Sequence, residues 1–339
     1  MNNFEYLQAG DVSEAVNAVT ANDKAMFIAG GTNLLDLWKY DLSHPELLVD
    51  INHLNNHHSI EEKSDGGVQL GAFVTNAETA YHPLIENSYP LLSKAILAGA
   101  SAQIRNMATN GGNLLQRTRC YYFYDPHVPC NKREPGSGCS ALEGYNRMHA
   151  ILGTSDKCIA VFPSDMCIAL AALDAVVNIS GPGGERSIPF ADFHRLPGDA
   201  PHIDNNLQHG EIITSIDLPA KGFAENYSYL KLRDRHSYAF ALVSVATGLE
   251  LDGNIIKDAR IALGGVAHKP WRIKEAEEFV RNKHANAETF AAAAEIILQG
   301  AKGFEYNSFK IELAKRAIIR NSMMALQPAT QLPGAQPSL

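Results

Sequence analysis

Two glycine pairs constrain the fold and function of this chain more than any other feature. Residues 26–35 read MFIAGGTNLL and residues 108–115 read ATNGGNLL, so each pair follows small or apolar residues and precedes a polar side chain and two leucines. Adjacent glycines let the backbone turn with positive φ and let a ligand approach closely. Successive N–H groups in such a turn form a concavity that binds anions. We therefore expect the two turns to hold the pyrophosphate of one dinucleotide between them.

Each glycine pair also has a simpler explanation, because a Gly-Gly pair after a strand is most often only a turn. The occurrence of two similar turns, each followed by a hydroxyl or amide side chain, favours a ligand site over that explanation. Neither pair belongs to a G-x-G-x-x-G motif, and no Lys-Ser/Thr follows as in a Walker loop. The sequence therefore predicts a nucleotide site that is not built on a Rossmann fold.

Composition excludes several classes of partner. The chain has 339 residues, enough for two domains, and is 45% hydrophobic with a formal net charge of −8. This charge argues against nucleic acid or an anionic membrane as partner, and no stretch is apolar and long enough to predict membrane insertion. Residues 1–15 lack the pattern of a signal peptide. We expect a cytoplasmic protein, or a periplasmic one if it is exported already folded with a signal-bearing partner.

The first part of the chain changes its pattern at His53. Alternating and buried-looking runs indicate a small βαβ-like lobe before this residue and antiparallel strands with helices after it. Strands are predicted at 5–8, 25–29, 46–50, 59–62, 67–70, 175–180, 186–189 and 210–219. Helices are predicted from Asp11 and at 33–39, 76–81 and 89–99, with another opened by Pro163, Ser164 and Asp165.

The second part predicts a separate α+β domain, because a run of strands is followed by a run of helices. The strands are expected at 228–233, 241–251 and 255–264. The helices are expected at about 274–281, 287–298 and 308–323. The tail from Gln327 is rich in Pro, Gln and Gly and is predicted to be disordered.

A long segment, residues 117–157, shows neither helical nor strand periodicity. It contains Cys120, Cys130 and Cys139, and Cys158 follows it, in the spacing C-x9-C-x8-C-x18-C. Four thiolates gathered by one loop can hold zinc or an iron–sulfur cluster, and the spacing does not choose between them. Nearby basic residues would stabilise thiolates. The alternative is four unrelated reduced cysteines; Cys167, on the following helix, is predicted to be a core residue.

A few polar residues could complete a dinucleotide site. Asp165 could accept a hydrogen bond from a ribose or ribityl hydroxyl, although a plain acid at a helix start is about as good an explanation. Lys231 and Arg233 could approach a flavin ring or phosphate, although solvated strand charges are the more common case. No pattern of a hydrolase stands out, and we assign no catalytic side chain.

Five segments together resemble one family. They are AGGTNLL at 29–35, TNGGNLLQR at 109–117, PSD at 163–165, GEIITSIDLP at 210–219 and KLRDRHSYAFALVSVA at 231–246. The chain resembles the FAD-binding (medium) subunit of molybdenum hydroxylases, the group of xanthine dehydrogenase, carbon monoxide dehydrogenase and aldehyde oxidoreductase. Within it the likeness is greatest to bacterial three-subunit aldehyde oxidoreductases. The resemblance implies an α+β protein with a two-lobed vanillyl-alcohol-oxidase (PCMH)-type FAD domain over 1–219, a C-terminal domain of three antiparallel strands and helices over 220–326, and a disordered tail over 327–339.

The resemblance also implies the ligands. FAD would contact Met26, Phe27, Ile28, Ala29, Gly30, Gly31, Thr32, Asn33, Leu34, Thr109, Gly112, Asn113, Asp165, Ile213 and Lys231. The loop over 117–158 is similar to an insert that carries a [4Fe–4S] cluster, which selects iron over zinc as the metal of Cys120, Cys130, Cys139 and Cys158.

By the same resemblance, the chain is an electron-transfer flavoprotein. A large molybdenum-cofactor subunit would oxidise an aldehyde or heterocycle, and a small [2Fe–2S] subunit would pass electrons to FAD here and on to an external acceptor, in a heterotrimer or its dimer. Two alternatives are a stand-alone flavin oxidase of the same fold and a zinc-stabilised scaffold subunit without flavin.

Overall fold

The computed structural model describes residues 2–236 and 238–327, and for Asn55 it describes the backbone only. The predicted disordered tail therefore lies outside the described residues, apart from Gln327 itself. No helix in this described part of the chain combines the length and apolarity needed to cross a bilayer.

The N-terminal lobe is a three-stranded parallel sheet, as its βαβ-like pattern predicts. Strands β1 (Glu5–Gln8), β2 (Ala25–Ile28) and β3 (Leu47–Asp50) lie in the order β1-β3-β2. Helix α1 (Val12–Thr20) connects β1 to β2, and helix α2 (Leu34–Lys39) follows β2. The sheet thus carries the first glycine pair on the connection that leaves the carboxyl end of β2.

The second lobe is a five-stranded antiparallel sheet in the order β4-β5-β8-β6-β7. Its strands are β4 (Ile60–Glu62), β5 (Val68–Gly71), β6 (Val176–Gly181), β7 (Gly184–Pro189) and β8 (Ile212–Leu218). A short 3₁₀ helix, Asn55–His57, precedes it. The helices of this lobe are α3 (Asn76–Tyr81), α4 (Pro83–Ser88), α5 (Pro90–Ala98), α6 (Ala102–Arg105), α7 (Asn110–Leu114), α8 (Tyr121–Tyr124), α9 (Met166–Ala172) and α10 (Phe190–Phe193).

The C-terminal domain is an antiparallel sheet covered by helices. Its strands are β9 (Asn226–Leu232), β10 (Val243–Asp252), β11 (Ile255–Gly264) and β12 (Trp271–Arg272), in the order β12-β11-β10-β9. The helices are α11 (Lys274–Val280), α12 (Ala287–Ile297) and α13 (Phe309–Ala325). The three predicted strands are therefore joined by a fourth, two residues long, which pairs with β11.

Both faces of the C-terminal sheet are buried. Helix α13 packs on β9 and β10, and the Asn321 amide donates to the carbonyls of Ser228 and Val245 at 3.0 Å each. On the opposite face, Tyr229 and Ala246 belong to the same hydrophobic core as helices α5 and α9 of the second lobe. The C-terminal sheet is thus packed directly against the second lobe, and this contact brings β9 to the site described next.

The segment without periodicity is compact rather than disordered. Helix α8 is its only helix among the described residues. The backbones of Cys130 and Cys139 pair as an isolated antiparallel β-bridge, and both thiols are free. The side-chain oxygen of Asn131 accepts from the backbone N–H groups of Gly136 at 3.1 Å and Gly138 at 2.9 Å. Side chains thus supply hydrogen bonds that regular secondary structure would otherwise provide.

Candidate functional site

The two glycine segments lie against each other. A Cβ atom at Gly30 would fall 1.8 Å from the carbonyl oxygen of Met107 and 2.6 Å from its carbonyl carbon. Glycine is therefore required at position 30 by the close approach of another backbone. Gly31 has a φ of 68°, the left-handed conformation that glycine adopts without a steric cost. The expected positive-φ bend is thus present at the first glycine pair.

The second glycine pair is a helix start, and the prediction of a positive-φ turn there is wrong. Helix α7 begins at Asn110, and the Thr109 side chain accepts a hydrogen bond from the N–H of Gly112 at 3.2 Å. Neither Gly111 nor Gly112 has a left-handed φ. The N–H of Gly111 donates to the carbonyl of Ala72 at 2.8 Å. Both N–H groups are thus used inside the fold. Threonine is a good N-cap residue, which explains the hydrogen bond from Gly112.

Between the two segments and the C-terminal domain lies a cleft of ≈ 450 Å³. All fifteen residues proposed to contact FAD from the sequence border it. They are Met26, Phe27, Ile28, Ala29, Gly30, Gly31, Thr32, Asn33, Leu34, Thr109, Gly112, Asn113, Asp165, Ile213 and Lys231. The fold thus brings together residues more than 200 positions apart in the chain, while their role in binding stays a prediction.

The side chain of Asn33, a residue that borders the cleft, uses its oxygen within the fold. Its side-chain oxygen accepts from the backbone N–H of Arg117 at 2.8 Å, which fixes the orientation of the amide. Its amide nitrogen is buried and makes no hydrogen bond of good geometry within the described chain, although the Tyr124 hydroxyl lies near it. An amide nitrogen carries two N–H donors, so one remains for an acceptor group of a ligand even if the other points to the Tyr124 hydroxyl.

Asn113 is held in place by its neighbours. Its amide nitrogen donates to the side-chain oxygen of Asn76 at 2.7 Å, and its own side-chain oxygen accepts from Ser164 Oγ at 2.5 Å. Ser164 Oγ also accepts from the N–H of Cys167 at 3.1 Å, so the hydroxyl at the start of α9 acts as the predicted cap. This network joins the second glycine segment to the segment that contains Asp165.

Asp165 and Lys231 form a buried ion pair, with side chains 9% and 5% exposed. Lys231 Nζ lies 2.8 Å from Asp165 Oδ2 and also donates to the carbonyl of Ala98 at 3.0 Å. Asp165 makes no side-chain cap to helix α9. Asp165 is therefore more than an acid at a helix start, and Lys231 is not a solvated charge on a strand.

Sequence reasoning missed several residues of the cleft. Arg105 donates to the carbonyl of Gly99 at 2.6 Å, and Arg119 donates to the carbonyl of Arg117 while its guanidinium lies 5.4 Å from the centre of the Phe240 ring. Within the described ranges, neither Arg105 nor Arg119 has a carboxylate partner, so both leave uncompensated positive charge at the cleft. The basic residues flanking the second glycine segment were the available signal for them.

Cys120, Cys130, Cys139 and Cys158 all line one small cavity. In the described part of the chain, however, no group of three or more His, Cys, Asp or Glu residues is arranged to hold a metal ion, so the predicted metal site is not confirmed. Burial raises the pKa of the Cys120 thiol to about 12 and that of Cys158 to about 11, so the metal-free thiols are protonated.

Three of the basic residues expected to stabilise thiolates have partners elsewhere in the metal-free protein. Arg117 and Lys132 both pair with Asp204, and Arg133 donates to the carbonyls of Tyr122 and Phe123. The charge of Lys132 lowers the pKa of the Cys158 thiol, but burial raises that pKa by more. Cys167, in contrast, is fully buried in the core as predicted.

Comparison with known proteins agrees with this geometry. Residues 2–221 match the family of the FAD binding domain in molybdopterin dehydrogenase, and residues 227–303 match the CO dehydrogenase flavoprotein C-terminal domain. The chain is 48% identical over 320 residues to the aldehyde oxidoreductase FAD-binding subunit PaoB of Escherichia coli K12, covering 94% of this chain and 96% of that protein. It is 28% identical to the glyceraldehyde dehydrogenase medium chain of Sulfolobus acidocaldarius, covering 84% and 83% of the two chains.

A solved structure shares the whole architecture. The match to quinoline 2-oxidoreductase from Pseudomonas putida 86 has a TM-score of 0.74 at 26% identity and covers 97% of this chain and 98% of that one. These relatives argue against a scaffold subunit that binds no flavin. The chain therefore belongs to the FAD-binding subunits of the molybdenum hydroxylase family and is a flavoprotein subunit of an aldehyde oxidoreductase or xanthine dehydrogenase type of complex.

Proposed function

We propose that FAD binds in the ≈ 450 Å³ cleft and that the fifteen residues named from the sequence hold it there. The observation that carries this proposal is that all fifteen residues, which come from separate segments of the chain, border this one cleft. A phosphate oxygen is an acceptor of suitable charge for an amide N–H of Asn33. Residues 26–34 would then follow the pyrophosphate, and Arg105 and Arg119 would offset its negative charge.

The remaining polar groups of the cleft would orient the rest of the dinucleotide. Thr109 and Asn113 belong to the wall formed by the second glycine segment, and Asp165 would accept from ribose or ribityl hydroxyls. When bound, FAD supplies two-electron redox chemistry for electrons that arrive from the [2Fe–2S] clusters of a partner and leave to an external acceptor. The chain itself needs no general acid or base for this task; its residues bind, orient and shield the cofactor.

We further propose that the complex is a heterotrimer, or a dimer of heterotrimers, with a large molybdenum-cofactor subunit and a small [2Fe–2S] subunit. Aldehydes are the proposed substrate class, because the relatives from E. coli and S. acidocaldarius are named as subunits of an aldehyde oxidoreductase and a glyceraldehyde dehydrogenase. The substrate itself would be oxidised on the large subunit.

The four cysteines are proposed to hold a [4Fe–4S] cluster. Support comes from their position around one small cavity and from the chemistry of four thiols enclosed by a single loop. The raised pKa values of Cys120 and Cys158 mean that binding must release protons, as is usual when thiols become metal ligands.

An absorption spectrum with flavin and iron assays on the full chain, purified without air, tests both proposals. A yellow-brown protein with one FAD and about four irons is the expected result. A yellow protein without iron would overturn the cluster proposal and leave the FAD proposal standing. A colourless protein that contains zinc would overturn both.

A further inference from the structure

Tyr229 does not line the cleft but contacts Asp165, which does. Tyr229 and Lys231 are two positions apart on strand β9 and therefore face the same side of the sheet. The Tyr229 hydroxyl donates to Asp165 Oδ1 at 2.7 Å, and Lys231 Nζ lies 2.8 Å from Asp165 Oδ2. Each carboxylate oxygen of Asp165 is thus held by a different side chain of the same strand.

The Tyr229 hydroxyl is not needed to neutralise Asp165. Tyr229 is only 1% exposed, and Lys231 already balances the charge of Asp165. Burial and the neighbouring carboxylate raise the pKa of Tyr229 well above its ordinary value, so the hydroxyl remains a donor at any physiological pH. The side chain of Ser244, on the adjacent strand β10, lies near the same hydroxyl. The 2.7 Å hydrogen bond directs the donor of Tyr229 toward Asp165.

This arrangement limits what Asp165 can do. An ionised carboxylate offers about four lone-pair sites to donors. One site on each oxygen is occupied from β9, and the carboxylate lines the cleft. A carboxylate held at both oxygens cannot rotate to form a cap on helix α9, and none is present. The further acceptor sites of this carboxylate would serve hydroxyl groups of a ligand bound in the cleft.

We propose that Tyr229 is a positioning residue for FAD, which holds the Asp165 carboxylate in the orientation that accepts from the hydroxyl groups of the cofactor. This inference rests on the proposed location of FAD in the cleft. It adds a residue of the C-terminal domain that lies outside the cleft and acts only through Asp165.

The test is an FAD titration of the flavin-free full-length chain, with binding followed by the flavin difference absorbance. Tyr229→Phe removes only the hydroxyl, and we expect FAD to bind about tenfold more weakly because a hydrogen bond to a charged group is lost. The matched control is Tyr227→Phe on the same strand, whose ring packs against Lys94 and does not line the cleft. This control is expected to bind FAD as the wild type does.

A double mutant separates positioning from general stability. In an Asp165→Asn background, the carboxylate is gone and Tyr229→Phe is expected to weaken binding by less than about threefold, because a hydrogen bond to a neutral acceptor is weaker. Circular dichroism and the urea midpoint report folding of each variant. If Tyr229→Phe does not fold, Ser244→Ala provides a milder change, and it is expected to weaken FAD binding in the same direction.

Three outcomes overturn the inference. They are an unchanged FAD affinity of Tyr229→Phe whatever its urea midpoint, an equal loss in Tyr227→Phe, and an undiminished effect of Tyr229→Phe in the Asp165→Asn background. If Asp165→Asn binds FAD normally, the proposed location of FAD fails as well. If Asp165→Asn binds weakly while Tyr229→Phe is normal, only the role of Tyr229 fails.

Discussion

The two glycine segments make one strong prediction, because Gly30 and Gly112 look equivalent in sequence and differ in structure. A Cβ at Gly30 would lie 1.8 Å from a carbonyl oxygen of the facing backbone, at least 1.2 Å closer than the 3.0 Å that real Cβ atoms keep. Backbone cannot rotate away, so either the 26–35 segment or the 107–108 segment must move. Overpacking of this kind costs about 1–3 kcal/mol, and we expect Gly30→Ala to be near or above the upper end.

A Cβ at Gly112 meets a different neighbour. Its nearest atom is Thr109 Oγ1 at 2.9 Å, the tip of a side chain that can shift by a few tenths of an ångström. Alanine in place of glycine gains up to about 1 kcal/mol of helix propensity, which offsets a partly weakened cap worth a similar amount. We therefore expect Gly112→Ala to change the free energy of unfolding by less than about 0.5 kcal/mol.

Urea unfolding and flavin content of the purified variants measure this contrast. Gly30→Ala is expected to lose both stability and FAD, because the displaced segment lines the proposed cofactor cleft. Gly112→Ala is expected to keep the fold. A loss of FAD in this variant would then reflect contact between position 112 and the cofactor and not a loss of stability. Equal urea midpoints for Gly30→Ala and the wild type would refute the steric reasoning.

Two further predictions concern buried polar groups. Lys310 is fully buried, donates to the carbonyls of His149 at 2.8 Å and Gly265 at 2.6 Å, and burial lowers its pKa to about 7. Since its pKa in the unfolded chain is about 10.4, unfolding takes up a proton above pH 7, and stability rises with pH. Between pH 7 and 9 this raises the free energy of unfolding by about 2 kcal/mol, and Lys310→Met should lose this rise. Urea midpoints that depend on pH in the same way in Lys310→Met and the wild type would contradict the prediction. Asn33→Asp keeps the acceptor for the Arg117 N–H and replaces the amide donor with a negative charge, so FAD affinity should fall by more than about tenfold and recover partly at high salt. Wild-type affinity in a flavin titration would contradict the proposed contact.

Much of the fold follows from periodicity, because the hydrophobic pattern of its strands and longer helices is strong. Strands β1 and β11 and helix α3 begin and end where the sequence predicts. The short elements were missed, since a two-residue strand such as β12 exists only through its pairing with β11. Four-residue helices such as α6 and α10 carry no period to detect.

The sequence predicts which residues border the cleft, but it does not predict the hydrogen bonds among them. The glycine pairs and the segment around Asp165 identified the walls of the cleft, whereas Thr109 capping the second pair depended on a local choice between turn and helix. Alternation on β9 places Tyr229 and Lys231 on one face, but no local rule indicates that this face meets a carboxylate 64 residues earlier. Contacts at this sequence distance are set by how the sheets and helices pack.

The packing of the C-terminal sheet against the second lobe implies that FAD should stabilise both parts of the chain. Lys231 and Phe240 of the C-terminal part line the same cleft as residues 26–34, so FAD binding is linked to the folding of both. At a free concentration 100 times Kd, a ligand that binds only the native state adds about 2.7 kcal/mol.

The two tryptophans allow this coupling to be measured, because Trp38 lies on helix α2 and Trp271 lies on strand β12. Variants with Trp38→Phe or Trp271→Phe leave one reporter each, and urea unfolding followed by fluorescence is expected to shift to higher urea with FAD in both. An excess of FAD that moves the Trp38 transition and leaves the Trp271 transition in place would show that the C-terminal domain takes no part in binding. The positions of Lys231 and Asp165 in a single buried ion pair argue for the joint shift, since neither group can keep its partner if one domain unfolds alone.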